Sequence, residues 1–269
     1  HEQFTQELRL ESNTGGKFEW QSGLFYFNED ITIESFNYDS LFTKQQNGYA
    51  NQSQKNDAWA VYASGDYSFT DAFSMRAGLR YTKDEKDFTA ERTDSPFCPP
   101  GACDAYPDPE STSASHTSWD ISGIYAVNED FNLYARIAEG FRAPALQGRL
   151  LFGDTISVAD KETTTSYEIG MKSELFDNRV RLGFNLYYFE TQDQQLTAVG
   201  GGTNFNTLIN ANEVVGKGFE LDLQAYLTEN LLLTLGASYN DTEINDSGLK
   251  VQPCGGSCTV LDPVAGPGL

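Results

Sequence analysis

Long stretches in which apolar and polar residues alternate constrain the fold of this chain more than any other feature. In residues 73–82, Phe, Met, Ala, Leu and Tyr alternate with Ser, Arg, Gly, Arg and Thr. A period of two predicts a β-strand with one apolar and one polar face. The pattern predicts ten strands, at residues 3–12, 17–28, 57–69, 73–84, 117–127, 131–141, 164–175, 179–191, 214–227 and 231–243.

Short and long connections alternate between these predicted strands. Tight turns rich in Asn, Asp and Gly are expected at 13–16, 70–72, 128–130, 176–178 and 228–230. Long connections are expected at 29–56, 85–116, 142–163, 192–213 and from 244 onward. Short periplasmic turns and long external loops are typical of an outer-membrane barrel. The sequence therefore predicts an all-β fold, a transmembrane antiparallel up-and-down β-barrel with ten strands visible here as part of a larger barrel.

An aromatic residue lies on the apolar face of every predicted strand, nine to eleven residues from the short turn. A tilted strand of ten residues climbs roughly 25 Å, which is the height of the lipid-facing band of a barrel. A soluble β-sandwich or β-propeller, the alternative, has shorter strands and no need for aromatic rings at this spacing. We therefore expect a membrane girdle formed by Phe4, Tyr26, Trp59, Tyr81, Trp119, Phe141, Tyr167, Tyr188, Phe219 and Tyr239.

The composition argues against several classes of function. The chain has 18 basic and 39 acidic residues, a net charge of −21 that disfavours a nucleic-acid partner. With two histidines and no Ser/His/Asp grouping, we expect no enzyme, no catalytic residues, no cofactor and no metal site. The neighbouring carboxylates Glu220 and Asp222 are expected to line the barrel lumen, and acid/base catalysis is the alternative role. The apolar run 231–237 is too short for a transmembrane helix.

Seven segments resemble the barrel of TonB-dependent outer-membrane receptors. Each lies on a predicted strand, and they occur in the same order as in that family. They are 6–10 (QELRL), 23–27 (GLFYF), 78–86 (GLRYTKDEK), 134–144 (YARIAEGFRAP), 166–179 (SYEIGMKSELFDNR), 218–223 (GFELDL) and 237–242 (ASYNDT). The resemblance implies that residues 1–269 are part of the barrel domain, with the plug domain and the C-terminal strands outside this chain. It also implies several partners: the plug domain, the TonB inner-membrane complex, outer-membrane lipid and lipopolysaccharide, and a small-molecule or metal-chelate ligand.

The function implied by this resemblance is active transport across the outer membrane of a Gram-negative bacterium. The external loops would bind a scarce nutrient, such as a ferric siderophore, another metal chelate or a carbohydrate, and TonB-coupled energy would drive its import. A passive porin or a barrel adhesin is the alternative, and a barrel enzyme is a third. Candidate ligand contacts are aromatic residues of the long connections, with loop packing as their alternative role: Phe36, Tyr38, Phe42, Tyr49, Phe152 and Phe205.

The four cysteines fall in two closely spaced pairs within long connections, Cys98 with Cys103 and Cys254 with Cys258. An oxidising compartment favours disulfides, and the Gly and Pro residues between the partners allow the tight turn that a short bridge requires. We expect each pair to form a local disulfide. A four-cysteine zinc site, a redox-active pair and cross-pairing between the two connections are the alternatives.

Overall fold

The computed structural model describes residues 1–96, 99, 101–151, 153–200 and 205–250. Within these ranges the chain forms twelve strands: β1 (Glu2–Glu11), β2 (Phe18–Tyr38), β3 (Gln46–Ser68), β4 (Phe73–Asp94), β5 (Glu110–Asn128), β6 (Phe131–Arg142), β7 (Ala145–Gln147), β8 (Ser157–Ala159), β9 (Glu162–Leu175), β10 (Val180–Gly200), β11 (Phe205–Thr228) and β12 (Leu231–Ile244). No helix in the described part of the chain has the length and apolarity needed to cross a membrane.

Ten of these strands form one antiparallel sheet in which each strand pairs with the next along the chain. The order is β1-β2-β3-β4-β5-β6-β9-β10-β11-β12, and β7 and β8 form a separate hairpin inside the β6–β9 connection. The tight turns account for the hairpin pairs, because two strands joined by a few residues pair with each other, and the longer connections β4–β5 and β6–β9 join strands that also pair. The predicted all-β, up-and-down fold class is therefore confirmed.

Several strands are longer than the apolar alternation indicated. The β2–β3 ladder continues as far as the pair Tyr38 and Gln46, which leaves only residues 39–45 as a turn. The ladders continue because they are built from backbone hydrogen bonds, which do not require apolar side chains. The expected long connections at 29–56, 85–116 and 192–213 are consequently in large part strand, so the predicted strand ends there were wrong.

The two faces of the sheet differ in polarity. Leu8, Leu24, Leu79 and Leu235 lie on one face and are 58%, 56%, 61% and 49% exposed. A soluble protein rarely leaves an apolar surface of this extent uncovered. Hydrocarbon is the environment in which such a face is stable, since lipid-facing and lumen-facing residues alternate along barrel strands.

The ladders place all ten aromatic residues of the expected girdle on this apolar face. Between neighbouring strands they lie within two positions of register, except for Phe141 and Tyr167, which are four positions apart. Trp59 and Tyr81 have ring centroids 5.5 Å apart, and Tyr167 and Tyr188 are 6.1 Å apart. The rings therefore form a row across the sheet, as a membrane girdle requires, and their contact with lipid stays a prediction.

On the opposite, polar face, tyrosine rings lie over glycines of neighbouring strands. A Cβ atom added to any of these glycines would collide with the facing ring. The pairs are Gly23 with Tyr62, Gly170 with Tyr134 and Gly218 with Tyr187. Each ring covers backbone of the adjacent strand, which buries apolar ring surface inside an otherwise polar wall. The sequence does not predict these contacts, because they depend on the register between neighbouring strands.

A charge on the apolar face should destabilise the protein far more than the same charge on the polar face. In the full-length protein folded in lipid vesicles, we expect Leu235→Arg to lower the free energy of unfolding by about 2–4 kcal/mol, because its side chain lies on the apolar face between the girdle and the β11–β12 turn, the face expected to contact hydrocarbon. Ser238→Arg on the polar face of the same strand is the matched control and should change it by less than about 1 kcal/mol. Equal losses in urea titrations of the two variants would contradict this assignment of faces.

Candidate functional site

The polar face of β1–β4 carries a connected group of side chains. Oη of Tyr62 donates a hydrogen bond to a carboxylate oxygen of Glu7 at 2.6 Å, and Arg9 donates to the other oxygen at 3.0 Å. The guanidinium carbon of Arg80 lies 5.1 Å from the ring centroid of Phe25 and 5.6 Å from that of Tyr62. These contacts link four strands, so the inner wall has ordered side chains before any ligand or partner arrives.

A recess of about 510 Å³ lies in the same wall, lined by β2–β6 and β9. Arg76 at this recess donates a hydrogen bond to Oγ of Ser64 at 3.2 Å and lies 3.9 Å from the carboxylate of Asp66. Arg136 also lines the recess, and its guanidinium has no hydrogen bond or ion pair with any residue that the structure describes. An unpaired guanidinium is suited to binding a carboxylate or another anion. We call this feature the arginine recess.

Acidic side chains lie on the polar face of β9 and β11. Glu168 accepts hydrogen bonds from Oη of Tyr134 at 2.7 Å and from Nδ2 of Asn185 at 3.4 Å. The register places Glu220 opposite Asn185 and Asp222 opposite Gly183, on the same face. Glu220 and Asp222 therefore line the polar wall, where the sequence analysis expected them. Within the described ranges, no three His, Cys, Asp or Glu side chains come together as a potential metal site.

The β6–β9 connection, residues 143–161, is packed against the sheet; we call it the bridge segment. Its first half contacts the polar face of β4. Nζ of Lys86 donates a hydrogen bond to the carbonyl oxygen of Pro144 at 3.0 Å and pairs with the carboxylate of Asp84 at 2.5 Å. Both charged side chains are largely shielded from solvent. The pair therefore fixes the point at which the bridge segment leaves β6.

Arg92 holds the middle of the bridge segment. Its Nη1 donates to the carbonyl oxygens of Leu150 at 2.8 Å and Gly153 at 2.6 Å. Its Nε and Nη2 donate to the carbonyl oxygen of Cys103 at 2.9 and 2.6 Å, and Nη2 also pairs with Asp154 at 2.5 Å. The Arg92 side chain is 6% exposed, whereas that of Asp154 is 73% exposed. One buried cation thus joins β4, the β4–β5 connection and the bridge segment.

The second half of the bridge segment is bound to β10 and β11. Nε2 of Gln195 donates to the carbonyl oxygens of Ala143 at 2.8 Å and Asp160 at 2.9 Å. Oδ1 of Asn210 accepts a hydrogen bond from the amide of Asp160, and Oγ of Ser157 accepts one from the amide of Leu208. The bridge segment therefore connects the ends of β3 and β4 that lie far from their shared turn to the β10–β11 hairpin.

A small apolar core lies between the bridge segment and the wall. It consists of Ala50, Phe88, Ala90, Ala105, Leu150 and Leu151, with Leu146 and Ile156 packed against it. Leu150 is fully buried. Apolar burial and the Arg92 contacts act together, so this connection is an ordered structure. The sequence predicted a connection here but offered no signal for its packing.

The structure distributes the candidate ligand-contact aromatics over different environments. Phe36 and Tyr38 lie in β2 and Tyr49 lies in β3, so their assignment to loops was wrong. Phe36 faces Tyr49 across the ladder on the side of the girdle, with ring centroids 5.3 Å apart. Phe42 lies in the β2–β3 turn and is 87% exposed. The ring of Phe205, at the start of β11, and all of Phe152 lie outside the described atoms. Ligand contact by any of them stays a prediction.

The turn that presents Phe42 is organised by Asp39. Its carboxylate accepts hydrogen bonds from the backbone amides of Leu41, Phe42 and Thr43 at 3.2, 3.1 and 3.0 Å. These bonds, the Thr43 amide first among them, hold the pKa of Asp39 below its usual range.

Because the folded-state pKa is lowered, the contribution of Asp39 to the turn is present above the ordinary carboxyl pKa of about 4 and is lost as the pH falls through the lowered value. We expect the amides of residues 41–43 to be protected from hydrogen exchange at neutral pH and exposed in strong acid. Asp39→Asn should flatten this pH dependence. Protection that is independent of pH in the unaltered protein would contradict the prediction.

The expected disulfides fall partly outside the described residues. Cys103 is described and its thiol is not free, whereas Cys98, Cys254 and Cys258 lie outside the described ranges. The pairing Cys98–Cys103 and Cys254–Cys258 therefore stays a proposal. We expect peptide mapping of the unreduced protein to recover each pair within one peptide. Free thiols, or a bridge joining the two connections, would show the pairing to be wrong.

Comparison with known proteins identifies the family. Residues 1–253 match the family model described as TonB dependent receptor-like, beta-barrel. The chain is 25% identical over 165 residues to the Pesticin receptor of Yersinia enterocolitica, covering 61% of this chain and 23% of that protein. It is 23% identical over 210 residues to the Probable TonB-dependent siderophore receptor PiuA of Acinetobacter baumannii, covering 76% and 26%. The chain thus spans about a quarter of the length of these curated relatives.

Solved structures show the same fold. The ferric yersiniabactin uptake receptor FyuA from Yersinia pestis is similar with a TM-score of 0.73 at 18% identity, over 90% of this chain and 35% of that one. The closed form of the Ferric-Catecholate import receptor Fiu from K12 E. coli is similar with a TM-score of 0.69 at 16% identity, over 90% and 38%. The ten-stranded sheet, its two unlike faces and the family match agree. This chain belongs to the TonB-dependent receptor β-barrel family.

Proposed function

We propose that this chain is part of an active transporter in the outer membrane of a Gram-negative bacterium, which binds a scarce nutrient at its outer mouth and imports it with TonB-coupled energy. The observation that carries the proposal is the sheet itself, in a chain of this family. One face is apolar and carries the row of girdle aromatics, the other is polar, and the bridge segment is packed against the polar face. Relatives include receptors described for siderophores and for a metal chelate. A ferric siderophore or another metal chelate is accordingly the first ligand class to test, and a carbohydrate is the second.

The inner wall supports a plug domain as the partner within the lumen. The arginine recess offers an unpaired guanidinium, that of Arg136, at the height of the lipid-facing band. More than two thirds of the length of each curated relative lies outside the region matched here. We propose that an acidic segment of the plug binds the recess. A role as receptor and transporter, and not as an enzyme, is supported by the relatives that the chain matches, which are described as receptors.

Two measurements test the transport function against a passive porin. Full-length protein in planar bilayers should conduct ions poorly, because a plug closes the lumen. Cells that carry the protein should accumulate a radiolabelled ferric chelate only while the inner membrane is energised. Free conductance together with energy-independent uptake would replace this proposal with the porin alternative.

A further inference from the structure

A cleft of about 350 Å³ opens between the bridge segment and the polar face of β2–β4. Its lining is Ile31, Ile33, Gln52, Gln54, Phe88, Leu146, Gln147, Gly148, Arg149 and Asn206. We infer that this cleft, here called the amide cleft, binds an uncharged part of the transported ligand that carries amide or hydroxyl groups. The inference rests on the proposed transport function, and it names the chemistry of the ligand.

The polar groups of the amide cleft are mainly primary amides. Ile31 pairs in register with Gln54, and Ile33 with Gln52, so the two amides lie side by side along the wall. Within the described part of the chain, neither amide has a hydrogen-bond partner, and the same holds for the amide of Asn206. Each primary amide offers two donors and one acceptor. Together they match a ligand surface that both donates and accepts hydrogen bonds, as amides and hydroxyls do.

The charge of the cleft differs from that of the chain. The chain carries 39 acidic residues and a net charge of −21, yet none of the described residues that line the cleft is a carboxylate. A cationic ligand group would therefore find no partner, and a ligand with several negative charges would meet only Arg149. Ligand groups that are neutral and polar fit this lining, since amides that become buried on binding must find hydrogen-bond partners.

The amide cleft is preorganised. Its floor is the ring of Phe88, which is 6% exposed and lies against Gly148, where an added Cβ would collide with that ring. The contacts of Lys86 and Arg92 hold the bridge segment in this position. A rigid cleft loses little conformational entropy on binding, which favours affinity. Its volume is at the low end for small-molecule sites, so it accommodates one arm of a larger ligand.

Three probes test the inference on the full-length protein in detergent micelles: an uncharged ferric trihydroxamate, a neutral maltooligosaccharide and a trianionic ferric tricatecholate. We expect the protein to bind one of the two uncharged probes in preference to the trianion. The double variant Gln52→Leu, Gln54→Leu should weaken that binding at least about tenfold, because it removes both amides from the wall. Asn206→Leu should weaken it in the same direction. Which uncharged probe binds distinguishes a chelate from a carbohydrate.

Gln224→Leu is the matched control, because it removes an exposed amide on the polar face of β11 away from the cleft; it should leave the affinity unchanged. Heat-modified migration on gels verifies that each variant is folded. Binding of the trianion alone, of none of the probes, or unchanged affinity in the double variant would overturn the inference. Failure of the transport proposal would be seen separately, as uptake that does not depend on an energised inner membrane in cells carrying either the unaltered protein or a cleft variant.

Discussion

Replacing Arg92 with Leu is expected to release the bridge segment while leaving the ten-stranded sheet intact. The substitution removes every hydrogen bond that Arg92 donates to the carbonyl oxygens of Cys103, Leu150 and Gly153. These carbonyls lie at a shielded site and would be left without those partners. Hydrogen bonds to a charged group are worth about 1.5–3 kcal/mol each, and breaking a buried network of this kind costs about 3–5 kcal/mol. The loss is local because the strands are held by their own ladders.

Limited proteolysis of outer-membrane preparations measures this effect. Cleavage within residues 143–161 should become at least tenfold faster in Arg92→Leu, while cleavage in the β2–β3 turn is unchanged. Asp154→Asn is the matched control, because its carboxylate is 73% exposed and a solvent-exposed ion pair contributes about 1 kcal/mol or less. Similar cleavage rates in the two variants would mean that Arg92 does not hold the bridge segment.

Gly218→Ala is expected to impair folding of the barrel severely. An added Cβ would collide with the backbone carbonyl oxygen of Tyr239 and with the ring of Tyr187. A side chain has rotamers to which it can move, but a backbone atom within a ladder does not. Overpacking costs about 1–3 kcal/mol where side chains adjust, so a backbone collision should cost at least about 3 kcal/mol. The fraction of full-length protein that migrates as the folded form on gels should fall accordingly.

Gly216 offers a control on the same strand. The three atoms nearest to an added Cβ there all belong to the ring of Phe189, a side chain. Phe189→Ala should therefore restore folding in the Gly216→Ala background, because it removes the obstructing ring. Tyr187→Ala should not restore folding in the Gly218→Ala background, since the carbonyl oxygen of Tyr239 remains. Equal rescue at both sites would show that the strands separate to accommodate a methyl group at Gly218.

The sequence alone determined the strand count of the main sheet, the order of pairing and the face on which each of the ten girdle aromatics lies. These properties follow from local rules: a period of two assigns faces, and a tight turn makes its two strands neighbours. Glu220 and Asp222 could be placed on the polar wall for the same reason. Strand length was not determined, because β2 and β3 continue through polar residues as far as Tyr38 and Gln46.

Only the tertiary structure decided how the mouth is built. Arg92 binds the carbonyl oxygen of Leu150 across 58 positions of sequence, and Gln195 binds that of Ala143 across 52. Neither pairing has a local sequence pattern, because each depends on how far the neighbouring strands extend beyond the row of girdle aromatics. The amide cleft likewise exists because Gly148 lies against Phe88. Periodicity assigns side chains to a face, whereas contacts between distant connections depend on the folded path of the backbone.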